Sequence, residues 1–235
     1  DSQAITEWMV DHYGPGGWGT GEMRIDFSIV AIDAPAGTMK RDFLEADGFY
    51  YEPDCDLAPV PLPPGGKIEG VSNYDCPDGD CHLVVYQGTR LYELYQASVT
   101  GGAATGGTFT GSCLAIWDLT RDVWSAANRS PAYSRGDTCD GGTAADLPIG
   151  PMLLTAEDVS AALAGDGIIH HALRFTIASN KIRIGYVWPA RHQAGNLGEG
   201  NAHAAGIFHH EILPLILFAR LVQIGIEELA RHIDD

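Results

Sequence analysis

The sequence predicts a mainly β chain: an antiparallel β-sandwich, jelly-roll or concanavalin-like, with a short helix near 156–164 and a C-terminal helix. Three observations point there. Gly at 29 and Pro at 13 of 235 residues imply frequent turns, which suit short strands better than long helices. Hydrophobic residues make up 45% and charged residues 19%, enough apolar surface to bury a core. Short apolar runs recur between clusters of Gly, Pro, Asn and Asp, the punctuation of strands. Residues 1–200 are expected to form a single sandwich domain and 201–235 a helical tail.

The elements follow in order. Ser2–His12 reads as a short helix closed by the glycine-rich stretch after Tyr13. Met23–Ile32 alternates apolar and polar residues, as a half-buried strand does, and Phe49–Tyr51 reads as another. Pro53–Gly66 holds five prolines and two glycines and is expected to cross the surface as an extended loop. His82–Gln87 and Arg90–Ser98, joined at Gly88-Thr89-Arg90, carry a hairpin signal. Gly101–Gly111 reads as a hairpin or loop, Ser112–Leu119 as a strand ending in Trp117-Asp118, and residues 120–150 as a polar excursion over one edge of the fold. Thr155-Ala-Glu-Asp158 has capping-box spacing and should start a helix over Ala156–Ala164. His170–Ile177 and Lys181–Val187 read as a last strand pair. From His209 to Ile233, Ile212, Leu215, Ile216, Ile224 and Leu229 follow helical spacing, with Pro214 in the first turn where proline is tolerated.

Net charge is −17, with only 14 Lys and Arg, so a phosphate backbone would be repelled and nucleic acid is excluded as a partner. No run reaches the roughly 18 apolar residues of a membrane span. The nearest, Ile212–Ile226, is interrupted by Pro214, Arg220 and Gln223. Asp1-Ser-Gln-Ala is compatible with a mature N-terminus left by signal cleavage. The five cysteines show neither Cys-x-x-Cys nor zinc-finger spacing, which favours disulfides and a secreted, extracellular or periplasmic setting. We expect Cys76–Cys81 and Cys113–Cys139 bridges with Cys55 free, a Cys55–Cys76 bridge being the alternative.

His82 follows Cys81 at the mouth of the apolar strand Leu83-Val84-Val85-Tyr86, where a near-neutral imidazole suits acid/base work or, equally, a hydrogen bond to a loop. Asp118 would be a partner carboxylate or would cap the following turn, and Asp146 carries the same ambiguity. Tyr186, Trp188, Arg191 and His192 combine aromatic faces, a guanidinium and an imidazole at a strand end. Together with His171 on the preceding strand they suit a sugar or carboxylate site, although Trp-Pro also closes β cores. His82, Asp118, Asp146 and His192 are therefore the catalytic candidates, and Tyr186, Trp188, Arg191 and His171 the substrate-binding ones. A weaker alternative makes His82, His171 and His192 a metal site. Asp54, Asp56, Asp75, Asp78 and Asp80 crowd loops that would serve a structural calcium or simply be solvated turns, so no cofactor is assigned.

In order along residues 20–196, Ile25-Asp-Phe-Ser28, Tyr51-Glu-Pro-Asp-Cys-Asp56, Pro63-Pro-Gly-Gly-Lys-Ile-Glu-Gly70, Gly79-Asp-Cys-His-Leu83, Leu91-Tyr-Glu-Leu94, Cys113-Leu-Ala-Ile-Trp-Asp118, Thr143-Ala-Ala-Asp-Leu-Pro148, His171-Ala-Leu-Arg-Phe175 and Tyr186-Val-Trp-Pro-Ala-Arg-His192 resemble a largely uncharacterised family of secreted bacterial β-rich proteins. The tail, with His203, His209 and His210, departs from that family, and the resemblance implies no particular activity. The expected function is action on, or binding of, a polysaccharide, as a hydrolase or a lyase. The alternative is a non-catalytic extracellular binding or self-assembling protein, homo-oligomeric through the C-terminal helix.

Overall fold

The computed structural model describes residues 28–46, 55–120, 148–167 and 169–171, together with Trp8, Asp11 and His12. These fall into two compact units, one holding the described residues from Ser28 to Gly150, the other Trp8, Asp11, His12 and the described residues from Pro151 onward. The described residues are mainly β, with a short helix at Ala156–Ala164, as expected. Phe49–Tyr51, the strand at Lys181–Val187 and the C-terminal helix lie outside the described residues.

The first unit is organised around the predicted hairpin. β1 (Ala31–Asp33), β2 (Lys40–Arg41), β3 (Leu44–Glu45) and β4 (Val60–Pro61) precede β5 (Leu83–Gln87) and β6 (Arg90–Leu94). β7 (Ser98–Val99), β8 (Phe109–Gly111) and β9 (Leu114–Asp118) follow. Gln87 pairs with Arg90, so the connection is the two residues Gly88-Thr89. Gly88 has φ 59°, the left-handed value that the first central position of a type II′ turn requires. The main sheet runs β1-β5-β6-β9, beside a β2-β4 pair and a β3-β8-β7 sheet.

Two pairings depart from the antiparallel expectation: β1 runs parallel to β5 and β3 parallel to β8. The predicted strand at Met23–Ile32 is also displaced. Among its described residues, Ser28–Val30 are irregular, and the strand is the three residues Ala31–Asp33.

Register divides the main sheet into two faces. Leu83, Val85, Tyr92, Leu94 and Leu114 share one face and join Phe43, Val60, Leu62, Ile68, Val99 and Phe109 in a single core. Val84, Leu91, Glu93 and Ala115 lie on the other face and are also fully buried. Burial on both faces explains the unbroken apolar run of β5, and each buried Leu or Val contributes roughly 1.5–3 kcal/mol.

The proline-rich segment does not cross the surface as expected. Val60 and Leu62 are core residues, 0% and 1% exposed. Pro61 has no N–H to donate, so β4 pairs with β2 over two residues only, and the Leu62 N–H then reaches the Met39 carbonyl at 3.2 Å. Gly66 has no room for a side chain. A Cβ there would lie 1.9 Å from the Tyr74 hydroxyl, which donates to the Pro63 carbonyl at 2.7 Å.

The Cys76–Cys81 bridge is present, but the second disulfide joins Cys55 to Cys113. This corrects both the expected Cys113–Cys139 pairing and the free Cys55; Cys139 lies outside the described residues. The reason is the edge of β9. The Asp56 N–H donates to the Leu114 carbonyl at 2.8 Å and its carboxylate accepts the Ile116 N–H at 2.7 Å, so Cys55 is brought against the strand entrance. Closing 58 residues of chain removes about 4 kcal/mol of unfolded-state entropy, against about 2 kcal/mol for the 5-residue Cys76–Cys81 span.

In the second unit Trp8 and Asp11 are helical, and the His12 N–H donates to the Trp8 carbonyl at 3.0 Å. The predicted helix α1 spans Ala156–Ala164 with Thr155 as N-cap and a complete capping box with Asp158. Among the described residues no helix is long and apolar enough to cross a membrane.

Candidate functional site

Of the described residues that the sequence singles out, His82 sits in the most elaborated surroundings. The loop before it is tied down by its own hydrogen bonds, Ile68 N–H to the Asn73 carbonyl at 3.0 Å and Gly70 N–H to the Ser28 carbonyl at 3.1 Å. Ile68 plugs the core at 1% exposure. The next residue, Glu69, is thereby set beside the start of β5. Its N–H donates to the His82 carbonyl at 3.1 Å. One carboxylate oxygen, Oε2, accepts both the His82 N–H at 3.0 Å and the ring Nδ1 at 2.8 Å. Oε1 accepts from the Ser28 hydroxyl at 3.4 Å.

A carboxylate can only accept, so Nδ1 carries the proton, and Nε2 of a neutral ring keeps its lone pair. The side chains of His82 and Glu69 are 14% and 21% exposed, sheltered yet in reach of solvent.

Opposite His82 the ladder is irregular. Leu83 pairs with Leu94, but the Cys81 carbonyl accepts the Ala97 N–H at 3.0 Å. One residue on the β5 side therefore faces two, Tyr95 and Gln96, which is a β-bulge. Gln96 absorbs the extra residue at φ 52°, an uncommon conformation for a side chain of this kind, and its amide oxygen accepts from the Ser112 hydroxyl. The bulge sets the Tyr95 ring 5.1 Å from the His82 ring, tilted by 36°. Bulges of this kind re-aim side chains next to functional sites.

Asp118, the other described candidate in this unit, does not join His82. Asp118 lies at the opposite end of the sheet, where it pairs with Arg90, about 16 Å along the strands from His82. Its Oδ1 accepts from the Thr120 N–H at 3.1 Å and hydroxyl at 2.6 Å, and Arg90 lies 3.6 Å from Oδ2, so it caps the following turn. His171 belongs to the second unit and pairs with Asp158 at 3.2 Å. Asp146, Tyr186, Trp188, Arg191 and His192 lie outside the described residues. Asp75 accepts the Gly101 N–H at 3.1 Å, a loop contact, and among the described residues no group of three or more His, Cys, Asp or Glu is placed to hold a metal ion.

Sequence reasoning missed Glu69 and Tyr95 as members of the site. It also passed over a second polar cluster at Glu93, a carboxylate with 0% exposure. Glu93 accepts the Trp117 indole N–H at 2.9 Å and the Gly150 N–H at 2.8 Å. Burial, then the nearby charges of Glu93 and Asp33, push the Tyr86 phenol up to about 12. Both oxygens of Glu93 hold structural donors, so the cluster fixes the packing of that face, whereas the His82 pair keeps a ring nitrogen for other work.

No protein-family model, curated protein or solved structure matches this chain.

Proposed function

We propose that the protein is a secreted carbohydrate-active enzyme in which His82, oriented by Glu69, transfers the proton and Tyr95 forms the neighbouring aromatic wall. The supporting observation is the Glu69–His82 pair itself: Nδ1 bonded at 2.8 Å, the carboxylate poised to balance an imidazolium, and both side chains at the solvent boundary. In this reading the three sheets belong to a β-sandwich of jelly-roll or concanavalin type, the resemblance to secreted bacterial β-rich proteins holds, and the substrate is a polysaccharide cleaved by hydrolysis or elimination. An imidazole can serve as base or as acid in either reaction, so the residues support the class of chemistry more than the bond broken.

One observation favours a second reading. Glu69 grips the main chain and the ring of the same residue, which would equally fasten a loop in a non-catalytic binding module.

Purified protein incubated with a panel of neutral and acidic polysaccharides separates the two. The enzyme reading expects new reducing ends or unsaturated products, reduced by about a hundredfold or more in His82→Ala. Binding without product favours the module, and product formation undiminished in His82→Ala removes His82 from the chemistry.

A further inference from the structure

We propose that the Cys76–Cys81 disulfide is a redox switch for the His82 site, opened by small thiols while the Cys55–Cys113 disulfide stays closed. The two bridges lie in different surroundings. Cys55 and Cys113 are core residues, 4% and 0% exposed. Cys76 is half-buried, and the residues between it and Cys81, Pro77–Asp80, are all exposed.

Cys81 immediately precedes His82, and its carbonyl anchors the far side of the bulge through Ala97 at 3.0 Å. The Cys76 N–H donates to the Ser98 hydroxyl at 3.0 Å. The bridge therefore fastens the entry of β5 against the start of β7, and the placement of His82 opposite Tyr95 depends on that fastening.

Opening is a two-electron exchange. A small-molecule thiolate attacks Sγ of Cys76, because Cys81 is only 6% exposed. The Cys76–Cys81 bond breaks, and Cys81 leaves as a thiolate and takes up a proton. A second thiol then displaces the mixed disulfide at Cys76, which leaves two cysteine thiols and one oxidised small-molecule disulfide. The loop at Pro77–Asp80 loses its closure, and His82 loosens from Glu69 and Tyr95. With a sequence separation of 5, the two thiols stay near one another, so reoxidation restores the bridge.

The switch acts on the histidine of the proposed enzyme, but its test reads the imidazole rather than turnover, so the two proposals fail separately. Full-length oxidised protein is treated with dithiothreitol without denaturant, alkylated at timed intervals and mapped by peptide mass. The His82 ring signals are recorded by NMR on the same samples. We expect Cys76 and Cys81 to be labelled at least about tenfold faster than Cys55 and Cys113, with the His82 signals shifting in step and returning on reoxidation. The Cys76→Ser/Cys81→Ser variant should show the shifted signals from the start and no response to dithiothreitol. Should it fail to fold, the wild-type samples decide alone. Labelling of both bridges together, labelling of Cys55 and Cys113 first, or His82 signals unchanged once Cys76 and Cys81 are labelled would overturn the proposal.

Discussion

Glu69 Oε2 accepts the main-chain N–H of His82 at 3.0 Å and its ring Nδ1 at 2.8 Å, so one oxygen sets both the strand entrance and the imidazole of a residue 13 positions later. Removing that oxygen should be felt in stability. Glu69→Ala removes the acceptor of three donors, the His82 N–H and Nδ1 and the Ser28 hydroxyl, and should cost about 1–3 kcal/mol, read as a lower urea midpoint. Glu69→Gln keeps one acceptor oxygen and should cost less.

Glu93 makes the sharper stability prediction because it has no exposure at all. Glu93→Ala takes the acceptor from the Trp117 indole and the Gly150 N–H, a loss of about 1–3 kcal/mol for each. Near-ultraviolet circular dichroism should lose much of its Trp117 contribution in the same variant. A Glu93→Ala protein as stable as wild type would show that these donors find other acceptors.

Alkaline pH should destabilise the first unit. Burial pushes Tyr74 up to about 12, and Tyr86 rises to about 12 through burial and the charges of Glu93 and Asp33. Both phenols bind their protons more tightly folded than unfolded. Their contribution is full below the ordinary value of 10.0 and is lost as pH rises toward about 12. Urea midpoints measured across that window should fall, and the last phenols to ionise by ultraviolet absorbance should do so together with unfolding.

Acid should act on helix α1. Burial raises the Asp158 carboxyl, but hydrogen bonds from the Thr155 hydroxyl and N–H and from His171, with the attraction of His171, outweigh it and hold the pKa below the ordinary 3.8. The folded pKa is depressed, so the capping contribution is complete above the unfolded value and is lost as pH falls through the lower folded one. Protection factors for amide exchange in Ala156–Ala164, taken against the unfolded chain at the same pH, should fall in that acid range. Thr155→Ala should weaken the helix by about 1 kcal/mol at neutral pH.

What was legible in the sequence was local. Thr155 and Asp158 stand at capping-box spacing, and Gly88 sits between two apolar runs, so α1 and the β5–β6 hairpin could be read from neighbours. Cys76 and Cys81 are close enough for their pairing to follow the same logic. Cys55 and Cys113 meet only because Asp56 covers the edge of β9, a tertiary event with no trace in spacing. Glu93 alternates with Tyr92 and Leu94 as a solvent-facing residue would, and its burial follows from the sheet being covered on both faces. Glu69 lies in a loop without periodicity, so His82 could be named from sequence but its partner could not. Tyr95 and Gln96 reach the site through a bulge, which alternation alone does not forecast.

The coupling of Glu69 to His82 is tested most directly by nitrogen-15 NMR of the His82 ring in the full-length oxidised protein, at a pH where the imidazole is neutral. The geometry predicts a ring protonated at Nδ1, with that preference weakened in Glu69→Gln. A wild-type ring protonated at Nε2, or one whose tautomer is the same in Glu69→Gln, would contradict it.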